Sequence, residues 1–319
     1  MARVRLSYAF LGALLLTATP GRADDAHGWA YLVDRLAADG VARERAIATF
    51  TDPRMPPFSG LGFGLAPREP RTLYRRFLAA SSIAAARRCR TELAGALEAA
   101  ERAHGVSANV VAALLYVETG CGRNTGGSPT LYALARLAMA NEPENLRDNV
   151  ERHTGGVADA ATIARVRERA RYLEDTFYPE VRATFTLADR LGIDPLALRG
   201  SGSGAFGYPQ FLPTSYLRYG TDGDGDGVVD LYDSRDAAAS CANYLAAQGW
   251  KAARSDAERR AVIWRYNHSA PYVDTVLTLA RRIGEPCAAP APRVRATARG
   301  KKGPVRSARN TRRAPAPHA

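Results

Sequence analysis

Apolar residues recur along the chain mostly at the three- and four-residue spacing of an α-helix, and no stretch sustains the period-two alternation of a half-buried strand. The pattern predicts a mainly α fold, with helices over about 28–50, 71–80, 86–104, 107–119, 130–140, 159–191, 213–219, 234–248, 256–266 and 270–283. Glycine and proline punctuate it, in the stretch from Pro53 to Pro70, at Gly126-Gly127 and Gly155-Gly156, and from Gly200 to Gly207. No internal repeat is visible.

Two segments fit neither helix nor linker. GSGSGAFGYPQF, Gly200 to Phe211, is too rich in glycine for a helix and too aromatic for a linker, which points to backbone that approaches a ligand closely. DGDGDGVVDLYD places Asp222, Asp224, Asp226, Asp230 and Asp233 at positions 1, 3, 5, 9 and 12 of an EF-hand-like loop, with Gly227 at 6 and the Val228 carbonyl at 7. Without a cation these charges repel one another, so the loop predicts a bound calcium ion; an empty acidic turn is the competing reading. Position 12 is Asp, which has a shorter reach than Glu. The expected role is structural, pinning the turn between the glycine-rich loop and the next helix, because the loop lacks the open water position of a catalytic metal. No organic cofactor is expected.

The helix over 107–119 carries the main candidate for chemistry. It opens at Ser107 as an N-cap and stops at Gly120. Val110, Leu114 and Val117 form one row, and Val111, Leu115 and Glu118 the next, so Glu118 continues an apolar row at the helix end. A helix this apolar is packed on most of its circumference. Desolvation and the negative end of the helix dipole both disfavour the anion and predict a raised pKa, as a general acid for glycosidic cleavage requires. A surface glutamate at a frayed helix end is the bland alternative.

Charge and cysteines change the picture at the ends of the chain. Of the +12 net charge, nine Lys or Arg lie between Arg293 and Arg313, where no acid occurs. Residues 287–319 therefore read as a basic disordered tail. It offers a contact to an anionic envelope surface or to cell-wall enzymes, or is a solvated extension without a role. Arg3 and Arg5, the apolar run from Leu6 to Ala18, and the small residues near Ala23 read as a signal peptide over 1–23; an uncleaved anchor is the alternative. Export implies a soluble periplasmic protein, expected as a monomer and without a nucleic-acid partner. It also places Cys89, Cys121, Cys241 and Cys287 where disulfides form, with three connectivities open.

VETGCG, GSGSGAFGYPQFLPTSY, the aspartate loop and RYNHSAPYV, in this order, resemble the B-type lytic murein transglycosylases. The resemblance implies a lysozyme-like helical catalytic domain over 27–286 that binds peptidoglycan glycan strands. Such enzymes cleave the β-1,4 bond between N-acetylmuramic acid and N-acetylglucosamine and leave 1,6-anhydromuramoyl ends. It implies Glu118 as acid and then base, with Ser201, Tyr208, Gln210, Asn267 and Tyr272 as substrate-binding residues. From sequence alone, Ser201 and Gln210 also read as turn or capping residues, Asn267 as a cap, and the tyrosines as core. No second carboxylate appears in these motifs, as a two-acid glycosidase would need. The chain departs from the family pattern at Gly120 and Cys121, where an arginine and an aromatic residue are common, at Pro209, often glycine, and in the short Trp250–Tyr266 segment. A hydrolytic muramidase and a non-catalytic wall-binding or scaffold protein are the rival functions.

Overall fold

The computed structural model of the chain describes residues 26–66, 70, 72–157 and 159–285. The signal-peptide, tail and Cys287 expectations lie outside these residues. The chain divides after Glu285, and all of the helices and strands named below belong to the unit that ends there.

The helices are α1 (Ala30–Ala38), α2 (Arg43–Phe50), α3 (Thr72–Arg75), α4 (Ala80–Glu92), α5 (Ala94–His104), α6 (Ala108–Thr119), α7 (Thr130–Ala138), α8 (Pro143–Thr154), α9 (Ala160–Leu191), α10 (Pro213–Tyr219), α11 (Ser234–Ala247), α12 (Asp256–Tyr266) and α13 (Ala270–Gly284). Single 3₁₀ turns follow α3 at Arg76–Leu78 and α11 at Trp250–Ala252. Two short strands, β1 (Ser128–Pro129) and β2 (Arg199–Gly200), pair antiparallel.

Around α6 the apolar faces of α4, α5, α11 and α13 close a core, in which every residue from Val110 to Leu115 is buried together with Leu97, Cys241 and Val276. Removing such side chains from water is the main favourable term in folding. A second core gathers Trp29, just before α1, with Leu32, Phe50, Leu131, Leu134 and Phe185 from α1, α2, α7 and α9. A third, smaller one places Phe206 and Phe211 of the glycine-rich loop against Leu187, Tyr216 and Leu231.

Three expectations need correction. The segment 28–50 is two helices, broken where Gly40 takes φ +91°. The segment 86–104 is likewise divided at Leu93, between α4 and α5. Helix α8 was not expected, because its large apolar residues are few and Asn, Arg and Glu dominate it. Polar groups hold it in place instead. Glu142 caps it by accepting from the Asn145 N–H at 2.7 Å. At successive turns Asn145 accepts from the Leu61 N–H (2.7 Å), Asn149 donates to the Leu61 carbonyl (2.8 Å), and His153 meets the Phe63 carbonyl (2.8 Å). The extended segment through Gly60–Phe63 thus lies along α8 as a strap.

Candidate active site

Glu118 sits in the last turn of α6 and is half-buried. The helix ends in a Schellman-type cap, with the Gly120 N–H on the Tyr116 carbonyl (2.9 Å) and the Cys121 N–H on the Leu115 carbonyl (3.0 Å). Thr119 is buried and spends its hydroxyl twice, donating to the Tyr208 carbonyl (2.9 Å) and accepting from the Gly122 N–H (2.9 Å). The far end of the Tyr208 ring lies against Gly122, where an added Cβ would fall 2.0 Å from its Cζ. The first two motifs therefore meet at Thr119, Gly122 and Tyr208.

The glycine-rich loop is folded on itself. Phe206 and Phe211 exchange backbone hydrogen bonds of 2.9 and 3.0 Å, and the Ser201 N–H donates to the Ala205 carbonyl at 2.7 Å. Ser201 is half-buried, and its hydroxyl accepts from the Ala205 N–H at 3.2 Å. Gln210 takes a positive φ of 51°, and its amide donates to the Gly207 carbonyl (2.9 Å) and the Thr125 carbonyl (3.1 Å). Its amide nitrogen is thus engaged inside the protein, tying this loop to the turn after α6. Gly126 makes that contact close, since a Cβ there would fall 2.2 Å from the Gly200 oxygen.

The last motif closes the site from the other side. Tyr272, in the first turn of α13, is 1% exposed and donates its hydroxyl to Glu118 Oε1 at 2.5 Å. It therefore lies beneath the acid as a support for the carboxylate and offers little surface to a ligand. Tyr74 packs edge-on to Tyr272, with ring centroids 5.9 Å apart. Tyr266 donates to the Pro209 carbonyl. Its hydroxyl is enclosed although part of the ring reaches solvent. Asn267 is half-buried at the end of α12.

Burial is the largest influence on the groups around Glu118. It pushes the Tyr272 hydroxyl well above the ordinary phenol range, and the nearby Glu118 charge adds to this. Burial does the same to Tyr266 and to the Cys241 thiol, again with Glu118 contributing. All three stay neutral at physiological pH, so the Tyr272 hydroxyl meets Glu118 as a neutral donor. Of these groups, Thr119 and Tyr266 had no assigned role in the sequence reading although they lie inside the motifs, and Cys241 was expected only as a disulfide partner, with nothing in the sequence placing it near Glu118.

Cys89 and Cys121 form a disulfide with Cα atoms 6.3 Å apart, while Cys241 is buried and free. The expectation that all four cysteines pair is corrected at Cys241, which lies wholly inside the core around α6.

In the aspartate loop, carboxylate oxygens of Asp222, Asp224 and Asp226 come within 4.8 Å of one another, as do those of Asp224, Asp233 and Asp236. These oxygen sets suit a hard divalent cation such as calcium. Asp230 is in neither group; its side chain accepts from the Tyr232 N–H at 2.8 Å. Val228 is exposed, in line with use of its carbonyl alone. Asp233 caps α11 and pairs with Arg235. The sequence reading missed Asp236, which is 2% exposed and accepts from the Gly223 N–H (2.7 Å) and the Asp230 N–H (2.6 Å). It closes the loop from inside, and its only sequence signal was an acid in the first turn of the next helix.

The family described as the transglycosylase SLT domain matches residues 34–261. The membrane-bound lytic murein transglycosylase B of Escherichia coli (strain K12) is 36% identical over 155 residues, 49% of this chain and 35% of that protein. The match thus spans about a third of that relative's length. The Escherichia coli lytic transglycosylase Slt35 in complex with bulgecin A superposes with a TM-score of 0.59 at 22% identity, covering 80% of this chain and 92% of that one. The same enzyme in complex with calcium gives 0.59 at 22% identity, again covering 80% and 92%. Soluble lytic transglycosylase SltB1 of Pseudomonas aeruginosa gives 0.59 at 24% identity, covering 80% and 97%. At these identities the structural likeness concerns the fold, which is that of the lytic transglycosylases. Among the described residues no helix is long and apolar enough to cross a membrane.

Proposed function

The chain belongs to the transglycosylase SLT domain family, and from that membership and the surroundings of Glu118 we propose that it is a peptidoglycan lytic transglycosylase acting in the periplasm. The catalytic domain spans 27–286. The observation that carries the reading is the Tyr272 hydroxyl on Glu118 Oε1 at 2.5 Å, where the segments of three separate motifs meet.

Glu118, protonated, gives its proton to the oxygen between N-acetylmuramic acid and N-acetylglucosamine as the bond to C1 breaks. The N-acetyl oxygen of the muramoyl residue bonds to C1 and carries the developing positive charge. Glu118, now anionic and steadied by the Tyr272 hydroxyl, takes the proton of the C6 hydroxyl. That oxygen bonds to C1, the acetamido oxygen leaves, and a 1,6-anhydro ring remains. One carboxylate suffices, because water is neither activated nor added. Ser201 and Asn267 position the reacting sugar, Tyr208 supplies a ring beside it, and Gln210 holds the loop that presents Ser201 and Tyr208.

The aspartate loop holds calcium through Asp222, Asp224, Asp226 and the Val228 carbonyl, with Asp236 closing the set. With the ion bound, the charge of the acidic turn would be neutralised and its approach to α11 fixed. The Escherichia coli calcium complex supports this reading.

Digestion of purified sacculi, followed by mass spectrometry of the released muropeptides, tests the proposal. Anhydro ends from the parent and none from Glu118→Gln are expected. Reducing ends alone would make the protein a muramidase, and binding without release would make it a wall-binding module.

A further inference from the structure

The three residues after Thr119 all have positive φ: Gly120 at 61°, Cys121 at 63° and Gly122 at 82°. Two are glycines, for which this region is cheap, whereas Cys121 carries a Cβ into it. This left-handed turn is also where the glycine-rich loop is anchored. Gly122 receives the Tyr208 ring, and Thr119 holds the Tyr208 carbonyl. The one residue of the turn that disfavours its own conformation is bonded through Sγ to Cys89, which is fully buried on α4.

We propose that the Cys89–Cys121 disulfide is a positioning element of the active site: it holds the turn after Glu118 left-handed, fixes Tyr208 over Gly122, and makes turnover sensitive to a dithiol reductant. The proposal rests on Glu118 being the catalytic acid. In the reductive step a thiolate of the dithiol attacks the sulfur of Cys121, the less buried of the two residues, and Cys89 leaves as thiolate. The second thiol of the reductant then releases Cys121. Cys89 and Cys121 end as two thiols, each with one proton, and the reductant ends as a disulfide. Cys241 is 0% exposed, so it is shielded from the same reagent.

The test measures kcat and KM on a soluble oligomer of alternating N-acetylglucosamine and N-acetylmuramic acid, at a temperature where circular dichroism shows each protein folded. It compares the oxidised parent, the parent under dithiothreitol, and two double variants that both lack the bond. Cys89→Ala with Cys121→Val places a β-branched residue in the turn, which disfavours it further. Cys89→Ala with Cys121→Gly makes the turn favourable without the bond.

Dithiothreitol and the valine pair are expected to lower kcat about tenfold with KM within about twofold, as a shift of reacting groups by a fraction of an ångström would do. The glycine pair is expected to recover to within about threefold of the parent and to ignore dithiothreitol. A valine pair as fast as the parent, or a glycine pair as slow as the valine pair, would overturn the proposal. Loss of turnover under dithiothreitol in the glycine pair would do so as well. Full activity in Glu118→Gln would instead remove the underlying assignment of the acid, which separates the two failures.

Discussion

Gly122→Ala tests whether the contact between Tyr208 and the turn after α6 governs catalysis. The new methyl would lie 2.0, 2.2 and 2.5 Å from Tyr208 Cζ, Cε1 and Cε2. Ordinary contact begins near 3.4 Å, so the ring must move by about 1.4 Å. The atoms met are the far end of a ring, and relief comes by swinging the side chain. The stability loss then comes mainly from placing an L residue at φ 82°, about 1–2 kcal/mol. For a domain of this size that lowers Tm by roughly 2–8 °C. Turnover should respond more sharply, because a displacement of about 1 Å at a reacting site can cost up to 100-fold. Release of soluble muropeptides from sacculi at 25 °C, with folding checked by circular dichroism, should fall by about 10- to 100-fold. Gly127→Ala is the control, since a methyl there meets nothing within 4 Å. A Gly122→Ala enzyme that turns over within about twofold of the parent would refute the claim that the Tyr208 position matters.

Two other parts of the structure give further expected outcomes. Glu180 is buried, its carboxyl pushed up by desolvation while it accepts from Thr214. The folded state then holds its proton above the ordinary value of 4.5, so this group's contribution makes stability fall as pH rises through that window. Urea melts of Glu180→Gln should show a flatter pH dependence there, and an unchanged slope would count against the assignment. Calcium at about 100 times its Kd should stabilise by about 2.7 kcal/mol, raising Tm by roughly 5–10 °C. Chelation should reverse the shift and Asp236→Asn should abolish most of it, whereas a parent whose Tm ignores calcium would remove the ion from the loop.

Much of this arrangement was legible in the sequence where backbone preference and burial point the same way. Helix α6 was expected over 107–119 and runs Ala108–Thr119, with Ser107 before it and Gly120 after it. Helices α10 and α12 have their expected bounds because proline at the first turn and a Ser255 capping box mark their starts. Helix α8 escaped because its stability comes from asparagine side chains bonded to backbone some 85 residues earlier, which no local periodicity records. The motifs pointed to Glu118 and Tyr272 but not to the way they meet, since the sequence reading gave Tyr272 as a substrate-binding residue and said nothing of the hydroxyl that it donates to Glu118 Oε1. Asp236 was missed for the same reason as α8: its meaning depends on burial against a loop that folds back onto it.

The strap along α8 makes that helix depend on a segment that precedes it by more than eighty residues. Its own turns offer few apolar side chains to nucleate on, and the hydrogen-bonding partners of Asn145, Asn149 and His153 arrive only when the chain has closed a long loop back to Leu61 and Phe63. A chain shortened at its amino end to beyond Phe63 would therefore keep every residue of α8 and still lose the bonds that Asn145, Asn149 and His153 make to Leu61 and Phe63, so domain trimming must respect a contact far from the helix in sequence.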